Sequence, residues 1–551
     1  MQRLTKNLAG DMYGGITAAI VALPLALAFG VQSGMGAIAG LYGAIALGFF
    51  AALFGGTNTQ ISGPTGPMAV VAAVVVAGQV AYLGSLEAAF GTIIATFVLA
   101  GIFQIILGIS GVGQYIRYMP YPVISGFMSG IGLIIILMQI FPFFGLSSPK
   151  SIIDIVSSLG HIPSTFNAQA ILLASATIAI IYLFPRVTRK IPSALVALVI
   201  LTLIATVAQM QIPLIGDIPQ GLPEIHLDTI LGVDLYHPMI VLIPAITLAS
   251  LGAIDSLLTS IVADNMTKTQ HNSKKELIGQ GIGNTVAGLI GGLPGAGATM
   301  RTVVNINAGG RTKLSGAIHG IVLLIVLLGA GEYAKLIPLP VLAGILITVG
   351  IGIIDYKGMR HLRNIPRIDA FIMVVVLLLT VFVDLLQAVA VGLVMSSLWF
   401  MKQMGDTIKA QSTGHSAGHT RHYHLTPEEK VLVEKLDDTV YIQRFEGPIF
   451  FGFTAQFKEI MRSLPEVKTV IFRMKFVPHI DQSGLYAIED AVMELRKKKI
   501  GVYFSGLQKQ PLDMMRNIRF IPDLIGEKYI YDDFHDLLTN LVKEHTASNP
   551  T

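Results

Sequence analysis

The amino-acid sequence predicts an α-helical membrane protein that crosses the bilayer many times and ends in a small soluble α/β domain. Apolar residues make up 53% of the chain and charged residues only 13%, against roughly a quarter charged in average soluble proteins. Apolar runs of about 20 residues, the length that spans a bilayer, recur between Met12 and Met401. From Thr439 the apolar period changes to that of strands alternating with helices.

The apolar runs divide into fourteen predicted membrane segments, two of them short. Their approximate bounds are 12–30, 34–54, 66–80, 87–109, 123–142, 169–184, 193–210, 238–262, 278–293, 299–308, 314–330, 338–354, 368–384 and 386–402. The predicted domains are therefore a membrane domain over residues 1–404, a linker over 405–436 and a soluble domain over 437–551.

The distribution of basic residues predicts that both termini are cytoplasmic, because Lys and Arg concentrate in short cytoplasmic loops. With the N-terminus inside, the external loops hold only Lys150 and Lys335, and the long loop 211–237 has acidic residues but no Lys or Arg. The internal loops then hold Arg117, Arg186, Arg189, Lys190, Lys268, Lys274, Lys275, Arg311, Lys313, Lys357, Arg360, Arg363 and Arg367. We expect a multi-pass protein of a bacterial inner membrane.

Two membrane segments are interrupted by glycine and proline. Residues 55–67 precede the third segment and residues 291–299 precede the tenth, which is the third of the second set of seven. Each stretch is too short to cross the membrane as a full helix, so we expect extended backbone followed by a half-helix lining a protected cavity. Such a matched pair indicates an inverted-repeat transporter with its site near the midplane. The alternative is two re-entrant loops that only pack the bundle.

The two half-helices are predicted to form an anion site. A helix N-terminus presents unpaired amides and about half a positive charge, so two N-termini that face each other attract an anion. The first would begin near Thr65 and Gly66, the second near Gly297, Ala298 and Thr299. Small residues would leave the amides open, and the threonines would add hydroxyls. This pattern favours a small, oxygen-rich anion.

An acidic residue within the eighth segment indicates a cation beside the anion. Asp255 would repel the anion, and a carboxylate at such depth marks a functional site by default. Thr259 lies on the same helix face. Oxygens of Asp255, Thr259 and the backbone around Gly297 and Thr299 would suit Na⁺ or a proton. The alternative is that Asp255 lies near the cytoplasmic end and is simply solvated. Arg301, one turn into the second half-helix, is either an electrostatic supplement to the site or a structural partner of an acidic group.

Three stretches of the membrane part, 14–24, 61–67 and 284–316, resemble the sulfate permease (SulP) family of anion transporters, bacterial relatives of the SLC26 carriers. The C-terminal part resembles the STAS domain usually joined to them. The resemblance implies an inverted repeat of seven plus seven segments, divided into core and gate domains. It also implies a homodimer formed partly through the STAS domain.

Within that family, residues 23–30 and 64–67, together with Asp255, are most similar to the cyanobacterial-type sodium-dependent bicarbonate transporters. This resemblance implies that Thr65 and the two half-helix N-termini hold the anion. It implies a Na⁺ site formed by Asp255, Thr259, Gly297, Ala298 and Thr299. Many sulfate-type members have Gln where this chain has Leu25, and Ser where it has Ala298 and Met300, which argues against a divalent anion.

The soluble domain is predicted from strands at 440–445, 469–474 and 500–505 and from helices at 484–499 and 511–518. Its residues 481–484 match the loop that carries a phosphorylatable serine in anti-sigma-factor antagonists, which makes Ser483 a possible regulatory site. The favoured interpretation is a helix N-terminus capped by its polar side chains.

The predicted linker contains four histidines, His415, His419, His422 and His424. No carboxylate or cysteine completes a metal-ligand set with them, so they are interpreted as solvated residues.

The predicted function is Na⁺-coupled import of a small inorganic anion, with bicarbonate favoured. The chain has no cysteine and no G-x-x-x-x-G-K-[ST] motif, so neither a thiolate metal site nor a primary pump is predicted. We expect no enzymatic activity, no cofactor other than the coupling ion and no nucleic-acid partner. One alternative is a proton- or Na⁺-coupled sulfate or dicarboxylate carrier. Another is an anion sensor that signals through the STAS domain.

Overall fold

A computed structural model describes most of the chain in two units, Met1–Val394 and Met395–Thr551. The described residues are 7–111, 113, 118–149, 151–162, 166–188, 191–216, 223–232, 238–383, 385–417 and 425–548. Some residues named in the sequence analysis lie outside these ranges, namely Arg117, Lys150, Arg189, Lys190, His419, His422, His424 and parts of the loop 211–237.

All fourteen predicted membrane segments lie on helices, with ends that agree within several residues. The helices are α1 (Leu8–Gln32), α2 (Ala37–Phe54), α3 (Gly66–Leu83), α4 (Leu86–Ser110), α5 (Tyr121–Phe143), α6 (Ala168–Leu183), α7 (Ser193–Val207), α8 (Met239–Thr267), α9 (Ser273–Leu289), α10 (Thr299–Asn307), α11 (Lys313–Ala334), α12 (Leu339–Ile353), α13 (Arg367–Phe382) and α14 (Leu385–Gln411). Short helical turns lie at Ile152–Ser158, Leu159–His161, Phe184–Arg186, Leu227–Leu231 and Tyr356–Arg360. Among the described residues, eight helices are long and apolar enough to span a bilayer.

The two interrupted segments meet as a pair of short strands. Strand β1 (Ser62–Gly63) pairs antiparallel with β2 (Ala296–Gly297). We call residues 55–65 the first crossover and residues 291–298 the second crossover. A Cβ on Gly295 would lie 2.2 Å from the carbonyl oxygen of Gly63, so the two backbones approach as closely as they do because a glycine is present. The predicted extended backbone before each helix is confirmed, and α10, with 9 residues, is a half-helix. Helix α3 has 18 residues and is longer than predicted, so it counts among the helices long enough to span a bilayer. We keep the name half-helix for both helices that begin at the crossovers.

The membrane helices pack in two groups. In the first, α4 packs against α8 and α9, and α1 packs against α2, α10 and α11. In the second, α5 packs against α12 and α13, and α6 packs against α7 and α12. Helices α1 and α3 of the first group also contact α12 and α5 of the second. These groups match the predicted core and gate domains.

The second unit is a five-stranded sheet with helices on both faces, in the order β3-β4-β5-β6-β7. The first pair is antiparallel and the other three pairs are parallel. Its elements are β3 (Thr413–Ser416), α15 (Pro427–Val433), β4 (Val440–Glu446), a turn at Phe451–Phe453, α16 (Thr454–Arg462), β5 (Thr469–Phe476), α17 (Gln482–Lys497), β6 (Gly501–Ser505), α18 (Lys509–Asn517), turns at Phe520–Leu524 and Glu527–Tyr529, β7 (Ile530–Tyr531) and α19 (Phe534–Ser548). The segment interpreted as a linker therefore contributes a strand and a helix to this unit.

Candidate functional site

Helix α8 connects the starts of both half-helices. The Oγ1 of Thr65, just before α3, donates a hydrogen bond of 2.8 Å to Oδ2 of Asp255. One turn further along α8, Oγ1 of Thr259 donates to the carbonyl oxygen of Gly297 at 2.9 Å and lies 2.7 Å from Oγ1 of Thr299. The structure thus brings together the side chains that the sequence analysis assigned to one site.

Two further polar side chains of α8, Ser256 and Ser260, bind the crossovers, and both are more buried than Asp255. Ser256 is fully buried and its Oγ accepts the amide of Gly297 at 3.1 Å. Ser260 is fully buried as well and donates to Oε1 of Gln60 at 2.9 Å. Asp255 itself is only half-buried.

The amide donors at the site differ in detail from those predicted. The amide of Gly297 is bound to Ser256, and the amide of Ala298 donates to the carbonyl oxygen of Ile61 at 2.8 Å. The expectation that the amides of Gly297 and Ala298 are open was therefore wrong, because β2 and the residue after it pair with the first crossover. In α10, which begins at Thr299, the unpaired amides are those of its first turn.

Both half-helices lack the side-chain cap that would normally satisfy their first amides. The N-cap residue of α10 is Ala298, which has no acceptor group, and α10 shows no side-chain cap hydrogen bond. The N-cap residue of α3 is Thr65, whose hydroxyl is bonded to Asp255 instead of capping. Gly66 and Met68 supply amides there, whereas Pro67 has none. Two helix N-termini are thus left to a ligand.

Arg301 lies in the first turn of α10 and is 2% exposed. One guanidinium nitrogen, Nη2, donates to the carbonyl oxygen of Pro64, and Nη1 has no hydrogen-bond partner among the described residues. The Arg301 and Asp255 charges act on each other electrostatically. Arg301 therefore fastens α10 to the first crossover and adds positive charge near the site.

Sequence reasoning missed a row of polar side chains on α9. Glu276, Gln280 and Asn284 are spaced by four residues and share one helix face. Glu276 accepts the amides of Gly56 and Thr57, each at 2.8 Å. It also accepts from Nε2 of Gln60 and of Gln280, each at 2.8 Å. Gln280 donates to Oγ of Ser62 at 2.6 Å, and Asn284 accepts the amide of Gly295 at 2.8 Å. The signal that could have revealed this row is the spacing of three polar residues at intervals of four within an otherwise apolar segment.

The site lies where the two helix groups meet. A Cβ on Gly66 would lie 2.8 Å from Cδ1 of Ile135 in α5 and 2.8 Å from Cδ1 of Ile353 in α12. A cavity of about 460 Å³ opens at the same boundary and is lined by residues of α1, α3, α5 and α12. Relative movement of the two groups would therefore change access to the half-helix starts.

The donor set suits a small hard cation beside an anion. The oxygens of Asp255, Thr259, Thr299 and Gly297 are carboxylate, hydroxyl and carbonyl groups, which bind hard cations. Among the described residues no group of three His, Cys, Asp or Glu side chains could hold a metal ion. A monovalent cation needs only one charged ligand, and Asp255 provides it.

The sequence matches the sulfate permease family over residues 8–376 and the STAS domain over residues 431–537. The chain belongs to the sulfate permease family. A relative in Synechocystis sp., the bicarbonate transporter BicA, is 42% identical over 544 residues, which cover 98% of this chain and 95% of the relative. The family and the C-terminal STAS domain are thereby confirmed.

Solved structures support the same fold. The transmembrane domain of a cyanobacterium bicarbonate transporter BicA is 48% identical and superposes with a TM-score of 0.65, covering 70% of this chain and 98% of that domain. The murine Solute Carrier 26 family member A9 anion transporter is 19% identical, with a TM-score of 0.80 and coverage of 98% of this chain and 92% of that one. The second likeness shows the fold alone, and it confirms the two halves of seven segments.

The STAS domain places Ser483 on an exposed helix start. Asp481 is the N-cap of α17, and its Oδ1 accepts the amide of Gly484 at 2.7 Å, while its Oδ2 accepts the amide of Phe451 at 2.9 Å. Ser483 itself is exposed. The interpretation of this loop as a capped helix N-terminus is confirmed, and a regulatory role of Ser483 stays a prediction.

Proposed function

We propose that this protein imports bicarbonate together with Na⁺ by alternating access. The observation that carries the proposal is that α8 binds both half-helix starts at once, through Asp255 and Thr259. A cation-binding site and an anion-binding site on one helix lie close together. Binding of the two ions is then coupled, because each charge stabilises the other in surroundings of low dielectric constant. Family membership and the BicA relative support this reading.

The proposed anion-binding site is formed mainly by backbone amide groups. In our proposal the anion lies between the uncapped starts of α3 and α10, where Thr65, Gly66, Gly297, Ala298 and Thr299 surround it. Free amides and two helix dipoles supply the attraction, and the charge of Arg301 supplements it. Because none of the described residues places a cationic side chain for a bidentate contact there, the site suits a singly charged oxyanion better than a dianion.

The proposed Na⁺ site consists of oxygen atoms at the same two helix starts. Asp255 supplies the negative charge, and Thr259, Thr299 and the carbonyl oxygen of Gly297 supply neutral ligands. With Na⁺ bound, the carboxylate no longer repels the anion. The loss of either ion therefore weakens the site for the other, which is the requirement for symport.

The proposal also includes the membrane topology and the oligomeric state. We place both termini and the STAS domain in the cytoplasm of a bacterium, in accordance with the positive-inside rule. The protein acts as a homodimer partly formed by its STAS domains, with bicarbonate and Na⁺ as cargo. It performs no chemical reaction on its substrate.

Uptake into proteoliposomes tests the proposed function. The full chain is reconstituted, and uptake of labelled bicarbonate and of labelled sulfate is measured with and without an inward Na⁺ gradient. Bicarbonate uptake that depends on Na⁺ is the expected result. Uptake of sulfate alone would assign the protein to the divalent carriers, and flux of neither anion would favour the anion sensor.

Asp255→Asn is expected to abolish Na⁺-dependent uptake while the protein still folds. The amide keeps an acceptor for Thr65 but removes the single charge assigned to the cation-binding site. Asp264→Asn is the matched control, because Asp264 lies on the same helix and binds His271 in the following loop. Uptake rates and thermal unfolding are measured for both. Near wild-type Na⁺-dependent uptake by Asp255→Asn would contradict the cation assignment.

A further inference from the structure

A set of buried polar atoms beside the first crossover combines Arg301, which supplements the proposed anion site, with His319, which has no role in the site described above. His319 on α11 is fully buried, and neither of its ring nitrogens has a hydrogen-bond partner among the described residues. The Nη1 of Arg301 is also without one. Buried polar groups are nearly always hydrogen-bonded, so an unpartnered guanidinium nitrogen and an unpartnered imidazole in one region point to a ligand that they share.

The helices α10 and α11 bring these two side chains to the same level. The Nδ2 of Asn305 donates to Oγ of Ser315 at 2.8 Å, which fixes the alignment of α10 with α11. Arg301 precedes Asn305 by four residues and His319 follows Ser315 by four, so each lies one helical turn from that hydrogen bond.

Helix α2 packs against the imidazole, and the first crossover packs against the guanidinium. A Cβ on Gly48 would lie 2.5 Å from Nδ1 of His319. A Cβ on Gly63 would lie 2.7 Å from Nη1 of Arg301 and 3.3 Å from Cα of Ala44, which precedes Gly48 by one turn. The imidazole thus lies against Gly48, and the guanidinium lies against Gly63 at the level of Ala44, one turn earlier in α2.

A π-helical turn accompanies this arrangement. It covers Leu47–Ala51 and contains Gly48. Such turns are rare and are found mostly at functional sites. Here the turn presents a glycine where any side chain would displace the His319 ring. The local backbone therefore makes room for the imidazole.

We propose that a buried water molecule binds between Nη1 of Arg301 and a ring nitrogen of His319, and that His319 is thereby a positioning residue for the anion site. The water accepts from the guanidinium and donates to the ring nitrogen of the imidazole that carries no hydrogen. Arg301 also donates to the carbonyl oxygen of Pro64, directly before the N-cap residue of α3. Holding Arg301 therefore fixes where the first half-helix starts.

Two substitutions separate this role from simple packing, and their readout rests on the proposed function. His319→Phe keeps the ring shape and removes the acceptor, whereas His319→Gln keeps an acceptor. In proteoliposomes containing the full chain, we expect the KM for bicarbonate to rise about tenfold in His319→Phe, as for loss of one hydrogen bond to a charged group. We expect it to stay within about twofold in His319→Gln, with Vmax per folded transporter near wild type in both. An unchanged KM in the Phe variant, or equal loss in both, would overturn the proposal.

A direct observation covers the case in which a variant fails to fold or the wild type moves no bicarbonate. A high-resolution cryo-electron microscopy map of the full-length wild-type protein should show a density peak within hydrogen-bonding distance of both Nη1 of Arg301 and the His319 ring. No peak, or direct contact between the two side chains, would refute the water site. Absent bicarbonate uptake with the peak present would contradict the proposed function and leave the water site standing.

Discussion

The first crossover is fastened to α9 by a carboxylate, whereas the second is fastened by neutral groups. Glu276 accepts four hydrogen bonds from the first crossover and from Gln280. Asn284 makes two hydrogen bonds with Gly295 of the second crossover, and Ser256 adds one to Gly297. The two stretches pair strand to strand, so their backbones correspond, but their anchoring chemistry differs.

This difference shows which parts of the site the two halves share. Both half-helices start without a side-chain cap, so the backbone contribution to anion binding is symmetric. The side chains are not symmetric, because Asp255 contacts the first half-helix start and Thr259 contacts the second. An inverted repeat can thus keep one backbone site for the anion while it places a single charge for the cation.

Glu276→Ala is expected to have the largest effect. It leaves the amides of Gly56 and Thr57 and Nε2 of Gln60 without acceptors, whereas Nε2 of Gln280 keeps Oγ of Ser62, and each unsatisfied buried group costs about 1–3 kcal/mol. We expect the folded protein to be lost from detergent extracts or its unfolding temperature to fall sharply. Fluorescence-detected size-exclusion chromatography after heating measures this. Glu276→Gln, which keeps one acceptor oxygen, should lie between this variant and wild type.

Near wild-type thermal stability of Glu276→Ala would contradict the anchoring role of the carboxylate. In that event the other contacts of the first crossover would suffice to hold it, among them its strand pairing and the hydrogen bonds from Arg301, Ser260 and Gln280. The comparison between the two crossovers would then rest on backbone geometry, and the α9 side chains would matter only for packing.

Ala298→Leu is expected to block transport without unfolding the protein. Ala298 is the N-cap residue of α10, so a larger side chain would fill the space in front of the free amides although no polar atom is removed. Ala298→Gly, the matched control, keeps that space and should remain active. Anion affinity is measured by isothermal titration on purified protein. Normal binding by Ala298→Leu, together with total loss in Arg301→Ala, would replace the backbone site by one centred on the guanidinium.

Asn284→Ala should be milder than Glu276→Ala. It leaves one backbone donor, the amide of Gly295, without its acceptor, at a cost of about 1–3 kcal/mol. We expect a moderate fall in unfolding temperature and reduced uptake. The control is Thr285→Ala. The Thr285 hydroxyl donates to the carbonyl oxygen of Gly281 in the same helix, so this hydrogen bond involves neither crossover. Equal stability losses in Asn284→Ala and Glu276→Ala would remove the distinction between neutral and charged anchoring.

Much of this architecture could be predicted from the sequence because membrane spans impose a fixed apolar length and glycine with proline interrupts it. Asp255 was found for a related reason, since a carboxylate in an apolar run is exceptional. The role of Glu276 could not be predicted, because it depends on which helix packs against residues 56 and 57. The amides of Gly297 and Ala298 were misassigned for the same reason, since the β1–β2 pairing is a long-range contact.

Thr65→Ser should have the smallest effect and is informative for that reason. Serine keeps the hydroxyl that donates to Asp255 at 2.8 Å, together with the backbone at the start of α3. Uptake should therefore stay close to wild type. Thr65→Val is the matched control, because it keeps the shape and removes the donor, and it should weaken Na⁺-dependent uptake while leaving the free amides of α3 intact. Apparent Na⁺ affinity, measured from the Na⁺ dependence of bicarbonate uptake, separates the two variants. If Thr65→Val matched wild type, the Thr65 hydroxyl would have no part in coupling the carboxylate to the first half-helix.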